Sequence, residues 1–508
     1  MTRATRTRRL RRPGLVPDLP RPAWVVLGGD FASAVGSGLT LPLLFVYAHQ
    51  VRHLADGAAG LVVAAIALAS LAGNPAGGAL ADRCTPRRAL MAGLAVAAAG
   101  SAALALARTA PELFAAAGLL GLGVSVIWPA QDALLASLAG PAHRSAVFAV
   151  RHACLNAGLG LGALAAAAAV SVTHPATFTA VYLADAASFL AFVPVLARLR
   201  PPEPAASPQP QASQPPAPRP RRTGIRHVLA DKPFVRVWAL TAILVTVGFG
   251  QAQASFAGYA TRPGGIGSHG LALAFAANTL TVVAAQLLIL RRLAGHRRTT
   301  AAALAAAAWA ASWAMVTVGG HLSGAAADTA FAAAMVIFAL GECLLSPTLP
   351  AIINDLAPPG AAGRYNGLGA LAFTTGFLAG PAAGGAALGA GQGTGLFAAL
   401  AAACAAAAAA ALRLGRRLPA AANHIPGPAL ARSTRGRHQP AAVTTTARGP
   451  RSAARDLPEA TARHLPDRNR LTRPPTGGGL PPPIAPAARP SPGKPGSQYR
   501  ESTCPASA

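Results

Sequence analysis

Between Trp24 and Leu412 the chain consists of long apolar runs joined by short segments that hold most of the charge in that region. A helix needs about 20 predominantly apolar residues to cross a bilayer. Twelve stretches meet that need: 24–48, 57–80, 88–108, 112–138, 146–170, 177–198, 235–259, 268–290, 299–319, 327–353, 367–390 and 394–413. In lipid every backbone N–H and C=O needs a partner within its own segment, so stretches of this kind are expected as helices. Alanine is so frequent that hydropathy contrast is shallow, and the ends are set by charges, prolines and glycines. Only 12% of the 508 residues are charged, against about 25% in a soluble domain. The expected fold class is an all-α membrane protein with twelve transmembrane helices.

The formal net charge of +28 would suggest a nucleic-acid partner in a soluble protein. Here the arginines fall in the two ends and in alternate connections, and Lys232 and Lys494 are the only lysines. One set of connections holds Arg83/Arg87/Arg88, Arg144, the run from Arg198 to Arg226, Arg291 to Arg298, Arg364, and Arg413/Arg416/Arg417. The other holds Arg52 with Asp56, Arg108 with Glu112, His174, Arg262, and His321 with Asp328. Basic loops face the cytoplasm. The alternation holds through all twelve stretches, which predicts a multi-pass plasma-membrane protein with both termini cytoplasmic and no nucleic-acid partner.

Residues 1–23 carry Thr7-Arg8-Arg9-Leu10, a faint likeness to a twin-arginine export signal. Prolines and a long apolar run containing Asp30 follow without a small-residue cleavage site, so this reads as an uncleaved cytoplasmic arm. The spacing of the apolar stretches predicts two six-helix halves, 24–198 and 231–413. Between them, 199–230 is rich in Pro, Gln, Ser and Ala and reads as a cytoplasmic linker. Residues 414–508 are Pro- and Arg-rich without periodicity and read as a disordered tail. A repeat supports the two halves: an offset of 218 residues pairs Gly123 with Gly341, Pro129 with Pro347, Gly158 with Gly376 and Gly162 with Gly380. Matched glycines and prolines are informative in a chain where alanine matches are cheap.

The five cysteines fit neither a disulfide framework nor zinc-ligand spacing, and no phosphate-binding Gly-rich loop or His-Glu-x-x-His is present. No cofactor, no metal and no enzymatic or ATP-driven activity is expected. The expected partners are a small-molecule substrate, protons and the lipid bilayer, with the chain acting as a monomer.

One hinge, Gly77-Gly78-Ala79-Leu80-Ala81-Asp82-Arg83-Cys84-Thr85-Pro86-Arg87-Arg88, puts an acid and three arginines between the second and third spans. Charge in lipid is costly, so the hinge lies at a membrane surface. It resembles the loop between helices 2 and 3 of major facilitator superfamily transporters, Gly-x-Leu-Ala-Asp-Arg-x-Gly-Arg-Lys, with Thr85 and Pro86 where the family has Gly and Arg. With twelve spans, a central linker and a half-repeat, the resemblance covers about residues 22–417. It implies two pseudo-symmetric halves rocking about a site near the bilayer midplane. It also implies a cytoplasmic gate in which Asp82 caps helix 11 of the other half, Arg83 and Arg87 bridge locally and Gly78 permits close packing. Asp132, towards the cytoplasmic end of span 4, is expected to pair with Arg83 or Arg87.

Acids inside spans are scarce, and each is a functional candidate. In the resembling family, helices 1, 7 and 10 line the central cavity. Asp30 and Glu342 are therefore the expected proton or substrate sites, with Gln251, Gln253 and Asn278 as polar cavity lining or interhelical glue. Asn278 and Gln286, eight apart, share one helix face. Asp185 is expected in a structural pairing, and Arg151 is expected to snorkel to the cytoplasmic surface. Gly376, Gly380, Pro381 and Gly384 resemble the helix-packing motif that exporters of the family carry on helix 5, here displaced to span 11. The buried arginine that the family carries on helix 4 is absent, its place taken by Ala117. The resulting expectation is a secondary transporter, with proton-coupled efflux first and metabolite import or a transporter-like sensor or scaffold as alternatives.

Overall fold

A computed structural model describes residues 16–199 and 224–427, apart from Ala254 and Pro263 and the side chains of Asp56 and Gln253. The residues expected to form most of the N-terminal arm, the linker and the tail lie outside this set. Among the described residues, twelve helices are long and apolar enough to cross a membrane. They are α1 (Arg21–Val51), α2 (Gly57–Arg83), α3 (Pro86–Leu106), α4 (Ala110–Ala139), α5 (Pro141–Ala169), α6 (Pro175–Arg198), α7 (Lys232–Thr261), α8 (Ser268–Leu293), α9 (Arg298–Gly319), α10 (Gly324–Leu356), α11 (Ala362–Gly389) and α12 (Gly393–Gly415). Among the described residues the only β pairing is an isolated bridge between Arg297 and His424.

Several helices run past the apolar stretches because their ends are chemically closed. Thr85 accepts a hydrogen bond from the Arg88 N–H at 3.2 Å, with Pro86 in the first turn of α3. The two residues that depart from the family hinge thus form a Thr-Pro helix start. Thr109 and Glu112 make a reciprocal capping box at the start of α4. Prolines mark irregularities: α1 passes through a 3-10 turn at Leu41–Leu43, which contains Pro42, and α10 is interrupted between Leu345 and Leu349, around Pro347.

Each half has its own core. Residues from Leu19 to Leu196 build one, and the other is centred on Trp309, Trp313 and Phe338. The 218-residue repeat reappears as equivalent packing. A Cβ on Gly158 or Gly162 of α5 would overlap the α1 backbone, and one on Gly376 or Gly380 of α11 would press into α7. Gly123 of α4 lies against Ala97 of α3, and Gly341 of α10 against Trp309 of α9. These small residues let helices approach closely where lipid gives no hydrophobic drive to associate.

The halves meet along α2 with α11 and along α5 with α8. Gly78 lies against the Gly363 carbonyl and Gly367, leaving no room for a side chain. Beyond α12 the chain remains packed: Leu418, Ala422, Asn423 and Ile425 are buried. The expected disordered tail from residue 414 is therefore corrected for 414–427. Ile225–Ala230, expected as linker, forms a short helix.

Candidate functional site

A cavity of about 240 Å³ lies between the halves. Asn74 of α2, Trp128 and Asp132 of α4 and Arg151 of α5 line one side, and Phe373, Thr374 and Phe377 of α11 line the other. Asn74 Nδ2 donates across it to Thr374 Oγ1 at 2.8 Å. Ligand pockets commonly start near 300 Å³, so the cavity is slightly smaller than that range. Its wall is chiefly aromatic and aliphatic, with one ion cluster facing in.

That cluster joins three helices. Arg151 Nη1 lies 2.5 Å from Asp132 Oδ1, and its Nε lies 3.4 Å from Asp30 Oδ2. The guanidinium also stands 4.6 Å from the centre of the Trp128 ring. Arg151 does not snorkel. It lies ten residues into α5, roughly 15 Å from the start of that helix, and two acids are within immediate reach. Asp132 is likewise not paired with Arg83 or Arg87. It lies seven residues before the end of α4, roughly 10 Å along the axis from that end. Arg87 instead donates to backbone carbonyls at the end of α6, including Leu199, and Arg83 is exposed. A buried carboxylate, Asp30, and a half-buried one, Asp132, share one guanidinium, so the cluster is electroneutral when one acid carries a proton. Full ionisation leaves one carboxylate charge uncompensated.

A second buried group crosses between the halves. Glu342 of α10 accepts from Asn278 Nδ2 of α8 at 3.0 Å, and His152 Nε2 of α5 lies 3.3 Å from Glu342 Oε2. The other imidazole nitrogen, Nδ1, is 2.9 Å from Gln286 Oε1. Gln286 is oriented by donating from Nε2 to the Cys343 carbonyl, so Oε1 can only accept and His152 Nδ1 carries a hydrogen. Nε2, 3.3 Å from Glu342, also lies 3.2 Å from Asn156 Nδ2 of its own helix. Asn278 and Gln286 do share a face, and both bind α10 from it.

The remaining candidates divide between gate and packing. Asp82 accepts from the Gly363 and Arg364 backbone N–H groups at 2.6 and 3.0 Å and from Arg364 Nη1 at 3.1 Å. A carboxylate from one half thus meets the first-turn amides and positive dipole end of a helix in the other. On the same side Asp355 pairs with both Arg144 of the opposite half and Arg298 of its own. Gln251 is not cavity lining. Its amide donates to the Gly380 and Thr246 carbonyls at 2.8 and 3.0 Å and its oxygen accepts from Ser255, which places it in the α7–α11 seam. Gly376, Gly380 and Gly384 border that seam, next to Pro381 inside α11. Gln253 is among the side chains not described. Asp185 accepts from Ser101, Thr40 and Ser37 at 2.9, 3.3 and 3.5 Å and ties α1, α3 and α6 together.

His152, Arg144, Arg298, Asp355 and Trp128 were not selected from sequence as site residues. The available signal was the adjacency of Arg151 and His152. Helical neighbours point about 100° apart, so one can serve the cluster within its own half while the other reaches across the interface.

The Major Facilitator Superfamily model matches residues 26–323. The chain belongs to that superfamily. It is therefore a multi-pass membrane transporter, not an enzyme, and its twelve helices form the family's two pseudo-symmetric halves. It is 26% identical over 368 residues to the MFS-type transporter YttB of Bacillus subtilis, covering 70% of this chain and 86% of YttB. Over 156 residues it is 35% identical to a Na(+), Li(+), K(+)/H(+) antiporter of Planococcus maritimus, covering 29% of this chain and 36% of the antiporter. A bacterial homologue of the iron transporter ferroportin, crystallised in an outward-facing state, shares the fold with a TM-score of 0.62 at 14% identity, over 78% of this chain and all of that one.

Proposed function

We propose that this transporter exports a small, largely apolar molecule in exchange for protons, by alternating access across the plasma membrane. In this reading it works as a monomer in the bilayer, and the side bearing Asp82 faces the cytoplasm with both termini. The arginine-rich alternate loops support that orientation. The present conformation is then closed to the cytoplasm, held by Asp82 on α11 and by Arg144 on Asp355.

The observation that carries the coupling is the His152–Glu342 contact at 3.3 Å. In this reading one proton, on the imidazole or the carboxyl, closes this link between the halves. Removing its proton leaves a carboxylate facing an imidazole lone pair and weakens the interface. Adding a second proton, so that imidazolium faces carboxylic acid, removes the charge attraction. Proton occupancy and the relation of the halves are thus tied at one place. The Asp30–Arg151–Asp132 cluster adds a second proton-accepting group at the cavity wall, and an antiporter among the relatives supports exchange with H(+). The aromatic wall favours a cargo with an apolar body.

The test is flux in proteoliposomes under an imposed pH gradient, using a ligand found by screening for thermal stabilisation. Glu342→Gln and Asp30→Asn should still move cargo down its own gradient but lose uphill transport. Full uphill transport by both variants would refute the coupling.

A further inference from the structure

The segment after α12 contacts the connection between α8 and α9, a region that neither composition nor the hinge resemblance singled out. Gly295 N donates to the Ile425 carbonyl at 2.9 Å and Ile425 N to the His296 carbonyl at 3.0 Å. Arg298 N donates to the Asn423 carbonyl at 2.9 Å. Asn423 Oδ1 accepts from Thr299 N at 2.9 Å and its Nδ2 donates to the Gly415 carbonyl at 3.3 Å. Residues 418–425 therefore form a strap, pinned by its own backbone and by the buried side chains of Leu418, Asn423 and Ile425. Gly295, at φ +85, supplies the left-handed turn that receives it.

The strap also holds a gate side chain. Arg298 is 1% exposed, and its guanidinium is shared among three partners. Nη1 donates to the Ala422 carbonyl at 2.8 Å and pairs with Asp355, while Nε donates to Ser145 Oγ at 3.1 Å. Asp355 in turn pairs with Arg144. Ser145 and Arg144 begin the straight run of α5 in the other half, so the chain of contacts runs from the strap through Arg298 into the interface. The position is the repeat counterpart of the Asp82 latch. Asp82 meets Gly363 at the start of α11, and 363 − 218 = 145 places Ser145 at the equivalent point of α5. The first latch is made by a carboxylate on helix amides. The second uses an arginine whose direction is set from outside the helix bundle.

We propose that residues 418–425 position Arg298 and thereby stabilise the state in which the Asp82 side of the transporter is closed. Arg298 is buried beside a second cation, Arg144, and one acid, Asp355. The Ala422 carbonyl offsets that excess of positive charge by accepting from the guanidinium. With the strap undocked, Arg298 loses its carbonyl partner and, with it, the placement that lets Nε reach Ser145 of the other half. The closed state should then weaken. This rests on the alternating-access reading, but the following test reads the contact itself and needs neither cargo nor proton flux.

Hydrogen–deuterium exchange is measured on the full chain in lipid nanodiscs, following peptides that contain the start of α5 (144–150) and the end of α10 (351–356). Asn423→Ala loosens the strap and Arg298→Ala removes the guanidinium. Each should speed exchange in both peptides by about 5-fold or more, the scale of one lost buried hydrogen bond. The double variant should exceed Arg298→Ala by less than twofold, because the strap acts through that residue. Ile425→Ala, which keeps every backbone bond and trims only the anchor, should give a smaller change in the same peptides and stands in if Asn423→Ala fails to fold. Faster exchange confined to 294–300 and 415–425, with 144–150 and 351–356 unchanged, would overturn the proposal. Equal and additive effects of Asn423→Ala and Arg298→Ala would also overturn it, because the strap would then act independently of Arg298.

Discussion

Replacing Asp82 by Asn should shift the conformational equilibrium of the transporter without touching its cavity. Asp82 is 6% exposed at its side chain and accepts three hydrogen bonds from α11. An amide keeps one oxygen acceptor but turns an NH₂ group towards donors. At least one charge-assisted bond is lost, and one donor is left facing another. Hydrogen bonds to charged groups contribute about 1.5–3 kcal/mol each. The carboxylate lies near the membrane surface, so the lower part of the range applies and about 2 kcal/mol is expected. That is roughly a 30-fold loss in the population of the state closed on this side, since about 1.4 kcal/mol corresponds to tenfold. The assay pairs ligand-induced thermal stabilisation with hydrogen exchange over residues 362–368. Exchange should rise by about one order of magnitude or more, while ligand affinity changes less than the transport rate. Unchanged exchange, or binding and transport falling in equal proportion, would refute the reasoning.

Arg151→Ala should be poorly tolerated, because it leaves buried Asp30 and half-buried Asp132 without a cation. A loss of about 3–5 kcal/mol is expected for a broken buried pair, read as a large fall in thermal stability; restoring only bulk with Arg151→Met should not rescue it. His152→Ala should uncouple transport from the pH gradient as Glu342→Gln does, and the double variant should be no worse than either single one; additive losses in proteoliposome flux would separate the two residues. Gly162→Val should block close packing of α5 on α1, where a Cβ meets the Val35 carbonyl and Gly38; a stability loss of about 1–3 kcal/mol is expected, whereas the same change at exposed Gly57, which has nothing within 4 Å, should be near neutral.

The twelve spans were legible because lipid leaves a backbone few options, and the repeat of glycines and prolines was legible because such residues are needed at contacts rather than along surfaces. Partner choice was not legible. The sequence shows that Asp132 and Arg151 are charges within spans, but not that their side chains converge on one cavity wall. Depth decided both: each lies about two to three turns from the helix end to which topology alone would assign it. Of the two readings open for Gln251, cavity lining and interhelical glue, the structure shows the second, since its amide donates to Gly380 and Thr246 and its oxygen accepts from Ser255. The start of α11 at Ala362 was hidden because Gly363 and Arg364 read as loop until Asp82 supplies their amides with an acceptor. The strap was invisible for the most general reason. Ala420, Ala421 and Ala422 look like the rest of the tail, and what holds them is backbone hydrogen bonding, which composition does not record.

Alternating access is tested most directly by holding the closed side shut. In a background without the native cysteines, Arg144→Cys and Asp355→Cys place one thiol on each half at the observed inter-half contact. Joining them with a short bifunctional thiol reagent should abolish proteoliposome flux while leaving ligand-induced thermal stabilisation in place, and a reducible linker should restore flux on cleavage. Undiminished flux through the cross-linked protein would contradict a transport cycle in which this side of the two halves must open.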